Sequence, residues 1–155
     1  MSIPTKETTF GRIKYLGETY RLFQRPLNDE QREQLQSYQK AHKCGYSSAP
    51  WQWNVYEWEI IDSKLYFTNL NFALCKDEEI SALKEIFGTE PVFCDWFSGV
   101  ITALVRKTEE KPIDEDEVEC KREVLYFRFK NGVFLKTRAA VESYTKRVLK
   151  NYIEE

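Results

Sequence analysis

The sequence predicts an α+β fold: an antiparallel β-sheet of hairpins carrying two or three helices, one of them an amphipathic C-terminal helix, in a single domain over residues 1–155. Three observations carry this. β-rich runs are separated by short turn signals, as in hairpins. Apolar residues recur at helical spacing near the middle and the end of the chain. No repeat and no linker-like stretch divides the chain, and 155 residues is about one domain's worth.

In order along the chain, residues 10–16 and 19–23 alternate apolar and polar around Gly17-Glu18 and read as a first hairpin. Arg25-Pro26 breaks the strand, and Asn28 or Asp29 can cap a largely exposed helix to about His42, with Leu35 and Tyr38 as its weak apolar stripe. Residues 45–50 form a loop. Trp51, Trp53, Val55, Glu57 and Glu59 then share one strand face, and Gln52, Asn54, Tyr56, Trp58 and Ile60 the other. Asp62-Ser63 turns this strand into a second hairpin over residues 53–69. Asp77 can cap an amphipathic helix through Phe87, with Glu78 and Glu79 near its positive end and Gly88 as its stop.

Two further β-rich runs, 91–97 and 100–105, meet at Ser98-Gly99. Seven acids against Lys111 make residues 109–119 a solvated loop. A third hairpin turns at Asn131-Gly132, between 123–130 and 133–136. Val141, Tyr144, Val148, Leu149 and Tyr152 lie at helical spacing in the final segment, 139–152.

Composition excludes more than it identifies. Hydrophobic residues at 42% and charged residues at 31% belong to a folded globule, so disorder is excluded as the main state. No apolar run reaches the length of a membrane helix, and the first residues lack the features of a secretion signal, so the expectation is a soluble cytoplasmic protein. A net charge of −2 gives no general attraction to nucleic acid or membranes. The charge is uneven, however: residues 51–105 hold nine acids against three lysines, and 121–150 hold nine bases against two acids. These segments can neutralise each other, or an acidic face can meet a basic partner such as a nuclease with a cationic cleft.

Cys44, Cys75, Cys94 and Cys120 form no CxxC pair and His42 is the only histidine, so no metal site and no cofactor are expected. The cysteines read as small buried hydrophobes; a Cys–His42–Asp95 nucleophile is the alternative. The common phosphate, metal and nucleophile motifs are absent. Glu57 and Glu59, about 7 Å apart on one strand face, could do acid–base work, but acids at period two beside apolar residues usually form a solvated face end. The Asp95-Trp96-Phe97-Ser98-Gly99 run is either a structural corner or a mount for exposed Trp96 and Phe97 as partner anchors.

The run Tyr56-Glu57-Trp58-Glu59-Ile60-Ile61-Asp62-Ser63-Lys64-Leu65-Tyr66, then Val92 to Gly99 and Glu123 to Gly132, resembles a family of small bacterial proteins. In that family an EWEI-D-KLY hairpin precedes an F-DWFSG segment. Some members sit beside polymorphic or contact-dependent toxins, and the resemblance therefore implies an immunity role in toxin neutralisation and contact-dependent growth inhibition. It covers roughly residues 50–132 and supplies no catalytic residues. Ser63 stands where the family pattern has glycine, and the acidic 109–119 segment is particular to this chain.

These readings converge on a non-enzymatic protein whose partner is a cognate toxin domain, with no direct nucleic-acid contact expected. Its contact residues are expected to be Glu57, Glu59, Asp62, Glu78, Glu79, Asp114, Glu115, Asp116 and Glu117, with Trp96 and Phe97 as anchors. The alternatives are a small ligand-binding domain or enzyme with a pocket lined by Trp51, Trp53, Trp58 and Tyr66, or a homodimer joined by a sheet edge. The oligomeric state is not legible in the sequence.

Overall fold

Three tight turns set the register of the sheet. A computed structural model of the protein describes residues 9–41, 55–71 and 82–147. Leu16-Gly17 joins β1 (Gly11–Tyr15) to β2 (Glu18–Leu22), Asp62-Ser63 joins β3 (Val55–Ile61) to β4 (Lys64–Asn71), and Asn131-Gly132 joins β7 (Glu117–Lys130) to β8 (Val133–Arg147). All six turn residues have positive φ. Two-residue turns of that handedness match the twist of the strands they join. The second and third lie where the sequence places them; the first falls one residue earlier.

The α+β expectation is corrected: the described chain is mostly β, in one eight-stranded sheet, with two helices, α1 (Asp29–Ala41) and α2 (Ala82–Phe87). Strands run in the order β3-β1-β2-β6-β7-β8-β4-β5, where β5 is Val92–Phe93 and β6 is Gly99–Pro112, and β3 also pairs with β4. Seven strands therefore close into a barrel. β1 and β3 pair in parallel from Arg12↔Glu57 to Lys14↔Glu59, and the other pairings are antiparallel.

The seam between β4 and β8 has a single register pair, Lys64↔Val133. It is stitched by the Leu65 N–H donating to the Gly132 carbonyl and the Phe134 N–H to that of Ser63, both 2.8 Å. Residues 93–98 wedge beside it: the Cys94 N–H donates to Leu65 O (2.9 Å), and the Gly132 N–H to Phe97 O (2.8 Å).

No C-terminal amphipathic helix forms through 139–147, which is the end of β8, and residues 148–155 lie outside the described part. The physical reason is non-local. β7 continues back to Glu117, so every β8 residue from Lys136 to Arg147 finds a ladder partner, from Arg128↔Lys136 to Glu117↔Arg147. That ladder overrides the helical spacing of Val141 and Tyr144, and β-branched Thr137, Val141 and Thr145 suit it. The acidic loop contracts for the same reason. Residues 109–112 and 117–119 belong to β6 and β7, leaving only 113–116 as the turn.

The barrel interior is filled by Ile13, Leu22, Trp58, Leu65, Phe67, Ile101, Ala103, Phe127 and Phe129. Trp58 stacks on Phe67 with ring centroids 4.5 Å apart. Each such burial contributes roughly 1.5–3 kcal/mol. Gly11 permits this packing, because a Cβ there would meet the Trp58 ring at 2.7 Å and the Tyr56 carbonyl at 2.9 Å. α2 packs on β4 and on α1, and Leu35 and Leu83 join the core. α1 is capped by Asn28, whose carboxamide oxygen accepts from the Gln31 N–H (2.8 Å) while Gln31 returns a bond to the Asn28 N–H (3.0 Å). The start of the second predicted helix, with Asp77, Glu78 and Glu79, lies outside the described residues.

Candidate partner-binding surface

β6, β7 and β8 outgrow the barrel. β2 meets β6 at Arg21↔Leu104 and Leu22↔Ala103, and beyond Leu104 β6 pairs with β7 alone among the described residues. The result is a three-stranded arm. From Leu104 to its tip it projects about 25 Å at the usual rise per strand residue, allowing for bulges after Leu104 and Lys107.

The arm separates its acids into two classes. On its flanks they are paired: across strands, Arg106 Nε lies 2.6 Å from Glu123, Lys121 3.7 Å from Glu109 and Lys146 3.2 Å from Glu110, and along β6 Lys111 lies 3.4 Å from Glu109. At the tip, Ile113, Asp114, Glu115, Asp116 and Glu117 are all exposed, Ile113 to 53%. One Asp114 carboxylate oxygen accepts from the N–H groups of Asp116 (2.7 Å) and Glu117 (2.9 Å) and so shapes the turn. Glu115, Asp116, Glu117 and nearby Glu119 have no ion pair among the described residues. The tip is thus an acidic turn, shaped by the Asp114 bonds, with one apolar side chain at its base.

A polar cluster ties down the arm's root. The Arg122 guanidinium lies 4.0 Å from the Phe23 ring centroid and 4.6 Å from that of Tyr144. Its Nε and Nη2 donate to one Glu142 oxygen at 3.0 and 2.9 Å, and the Tyr126 hydroxyl donates to the other at 2.5 Å. That hydrogen bond, with the carboxylate's charge, raises the Tyr126 pKa above the ordinary phenol value.

The remaining acids expected at the site do not converge. Glu57 is bound by Arg12 at 2.9 Å and by the Asn69 amide at 3.0 Å; with Glu59, Lys14 and Thr68 it borders a polar groove of about 220 Å³ on the barrel wall. Asp62 sits in the β3–β4 turn beside the β7–β8 turn, at the opposite end of β7 from the tip. The 14 residues of β7 span about 45 Å. No continuous acidic face therefore joins these residues.

Trp96 and Phe97 are only partly accessible. The Trp96 indole donates to the Pro26 carbonyl (2.9 Å) and its ring stacks on Phe87, while Phe97 meets Phe129 edge-on. Ser98 accepts from the Asn131 N–H at 2.8 Å. The segment is a corner that docks the β7–β8 turn, and its aromatics face the core margin.

The aromatic pocket does not assemble from the described residues either. Trp58 is interior, whereas Tyr66 lies on the opposite face of the wall and packs on Phe93. Trp51, Trp53 and His42 lie outside the described residues. Cys94 is buried, and burial pushes its thiol far up, outweighing the adjacent Trp58 indole N–H that pulls the other way. A protonated interior thiol does not suit a nucleophile. Among the described residues no three of His, Cys, Asp and Glu gather as a metal site, and no helix is long and apolar enough to cross a membrane.

Sequence reasoning missed Ile113, Glu119 and the exposed basic residues Arg128, Lys136 and Arg138 on the β7–β8 sheet. The excess of bases over residues 121–150 was the available signal. No family model, curated protein or solved structure matches this chain.

Proposed function

We propose that the protein is a non-enzymatic binding protein, a bacterial immunity protein that neutralises a cognate toxin in the cytoplasm by direct contact. The observation that carries the reading is the arm tip, where Glu115, Asp116 and Glu117 are exposed without ion pairs among the described residues. A narrow acidic projection on a three-stranded base suits a cationic cleft: unpaired charge steers encounter, and Ile113 supplies apolar contact once docked. The Asp114 turn bonds hold the acids before binding, which lowers the ordering cost of association. The resemblance of residues 56–66 and 92–99 to proteins beside toxins supports the same partner class.

The test is co-purification of the tagged protein with each product of the neighbouring genes, alongside a growth assay. A stoichiometric complex with a growth-inhibiting neighbour, lost in the Glu115→Lys/Asp116→Lys/Glu117→Lys variant at unchanged thermal midpoint, is the expected result. Retention undiminished by that reversal removes the tip from the interface. Absence of any toxic or retained neighbour overturns the immunity reading.

A further inference from the structure

We propose that the outer edge of β8 between Leu135 and Ser143 is a strand-addition site for an extended acidic segment of a partner protein. This goes beyond the contact at the arm tip and does not depend on it. The barrel seam uses only the first residues of β8: Val133 pairs with Lys64, and the Phe134 N–H bonds to Ser63. From Leu135 onward the strand has β7 on one side and no strand on the other among the described residues. Every second residue of such a strand turns its N–H and C=O outward, a template for one more strand. Leu135, Lys136, Thr137, Arg138 and Ala139 are consecutively exposed, so neither face of this edge is covered.

Charge selects the occupant. Lys136, Arg138 and Glu142 share one face, and the ladder adds Arg128 opposite Lys136. Glu142 is already engaged by Arg122 and Tyr126. Arg128, Lys136 and Arg138 have no ion pair among the described residues; Arg138 instead lies 5.3 Å from the Tyr126 ring centroid. An added strand with carboxylates at alternate positions would set them beside these cations, while its backbone completes the ladder. A second copy of this chain fits less well. A two-fold axis perpendicular to the sheet brings the same faces together and places two sets of Arg128, Lys136 and Arg138 side by side.

The probe is a blocked peptide of alternating threonine and glutamate, four of each, titrated into the full-length protein. Amide hydrogen exchange and fluorescence anisotropy are the readouts. Saturable binding with slowed exchange over residues 136–143 is expected. Lys136→Glu/Arg138→Glu should weaken it at least tenfold, and N-methylation of alternate peptide residues should abolish it. The N-methyl comparison uses the wild-type chain and stands even if the double variant fails to fold. Three results overturn the proposal: binding that survives N-methylation, an unprotected β8, or an edge already protected in a dimer of the free protein. Tighter binding of a single-stranded oligonucleotide to the same residues would overturn it in favour of a nucleic acid.

Discussion

Glu142→Ala tests whether the polar cluster, rather than apolar packing alone, holds the arm to the barrel. The Arg122 side chain is 12% exposed and that of Glu142 27%. Removing one member of a fully buried ion pair costs about 3–5 kcal/mol, because the remaining charge is left desolvated. Here the residual exposure and the two aromatic rings beside the guanidinium reduce that, the rings by roughly 0.5–1 kcal/mol each. The lost Tyr126 hydrogen bond adds about 1 kcal/mol back. The expected destabilisation is therefore about 2 kcal/mol.

Arg122→Met keeps an unbranched side chain between Phe23 and Tyr144 and leaves Glu142 its tyrosine partner, so it should cost only about 1 kcal/mol. The double variant lacks the stranded charge and should cost less than the sum, with a coupling of about 1–2 kcal/mol. Urea unfolding followed by fluorescence at constant m-value gives all three numbers. Additive single effects, or a Glu142→Ala cost below about 0.5 kcal/mol, would refute the argument and reduce the cluster to surface decoration.

Gly132→Ala should destabilise by more than about 2 kcal/mol in the same assay, since its φ is +79° and the new Cβ would stand 2.5 Å from the Cys94 carbonyl oxygen. Asn28→Ala should cost about 1 kcal/mol by removing the α1 cap, and Asn28→Asp should recover most of it. Tyr126 should ionise above the ordinary phenol range. Its contribution to stability is full below the unfolded phenol pKa near 10 and is lost as pH rises through the higher folded value. The difference ultraviolet titration between the wild type and Tyr126→Phe measures this, and Glu142→Gln should move the transition back down.

What the sequence made legible was local. Asn131-Gly132 and Asp62-Ser63 announced their turns, and the alternation around Tyr56 and Trp58 separated the inward side chains from Glu57 and Glu59. What escaped was set by pairing at a distance. Nothing near β1 signals that it lies parallel to β3, some forty residues later, and that contact is what closes the barrel. Val141 and Tyr144 satisfied a helical period while their neighbours satisfied a period of two, and a partner strand beyond their own segment decided between them. The acidic segment misled for a related reason. Its net charge suggested a loop, yet Glu109 and Glu110 are paired with cations from other strands. Ser63 lies in the left-handed region where glycine is easiest, and the hairpin nevertheless keeps a two-residue turn there.

The architecture also bears on why the exposed features are tolerated. A closed barrel removes edges, but here closure consumes only the start of β8, so the rest of a 15-residue strand continues past the seam as one margin of the arm. Cations on such a margin disfavour pairing with a like-charged copy, and the acids at the opposite end disfavour tip-to-tip association. The flanking ion pairs neutralise the middle of the arm and leave the acidic tip separated from the basic margin by most of its length. Each end is then open to a different contact, and a partner presenting both a basic cleft and an acidic extended segment would engage the two at once. Such a partner gains from effective concentration: disrupting either contact alone should weaken it far less than disrupting both, provided the segment can span the arm.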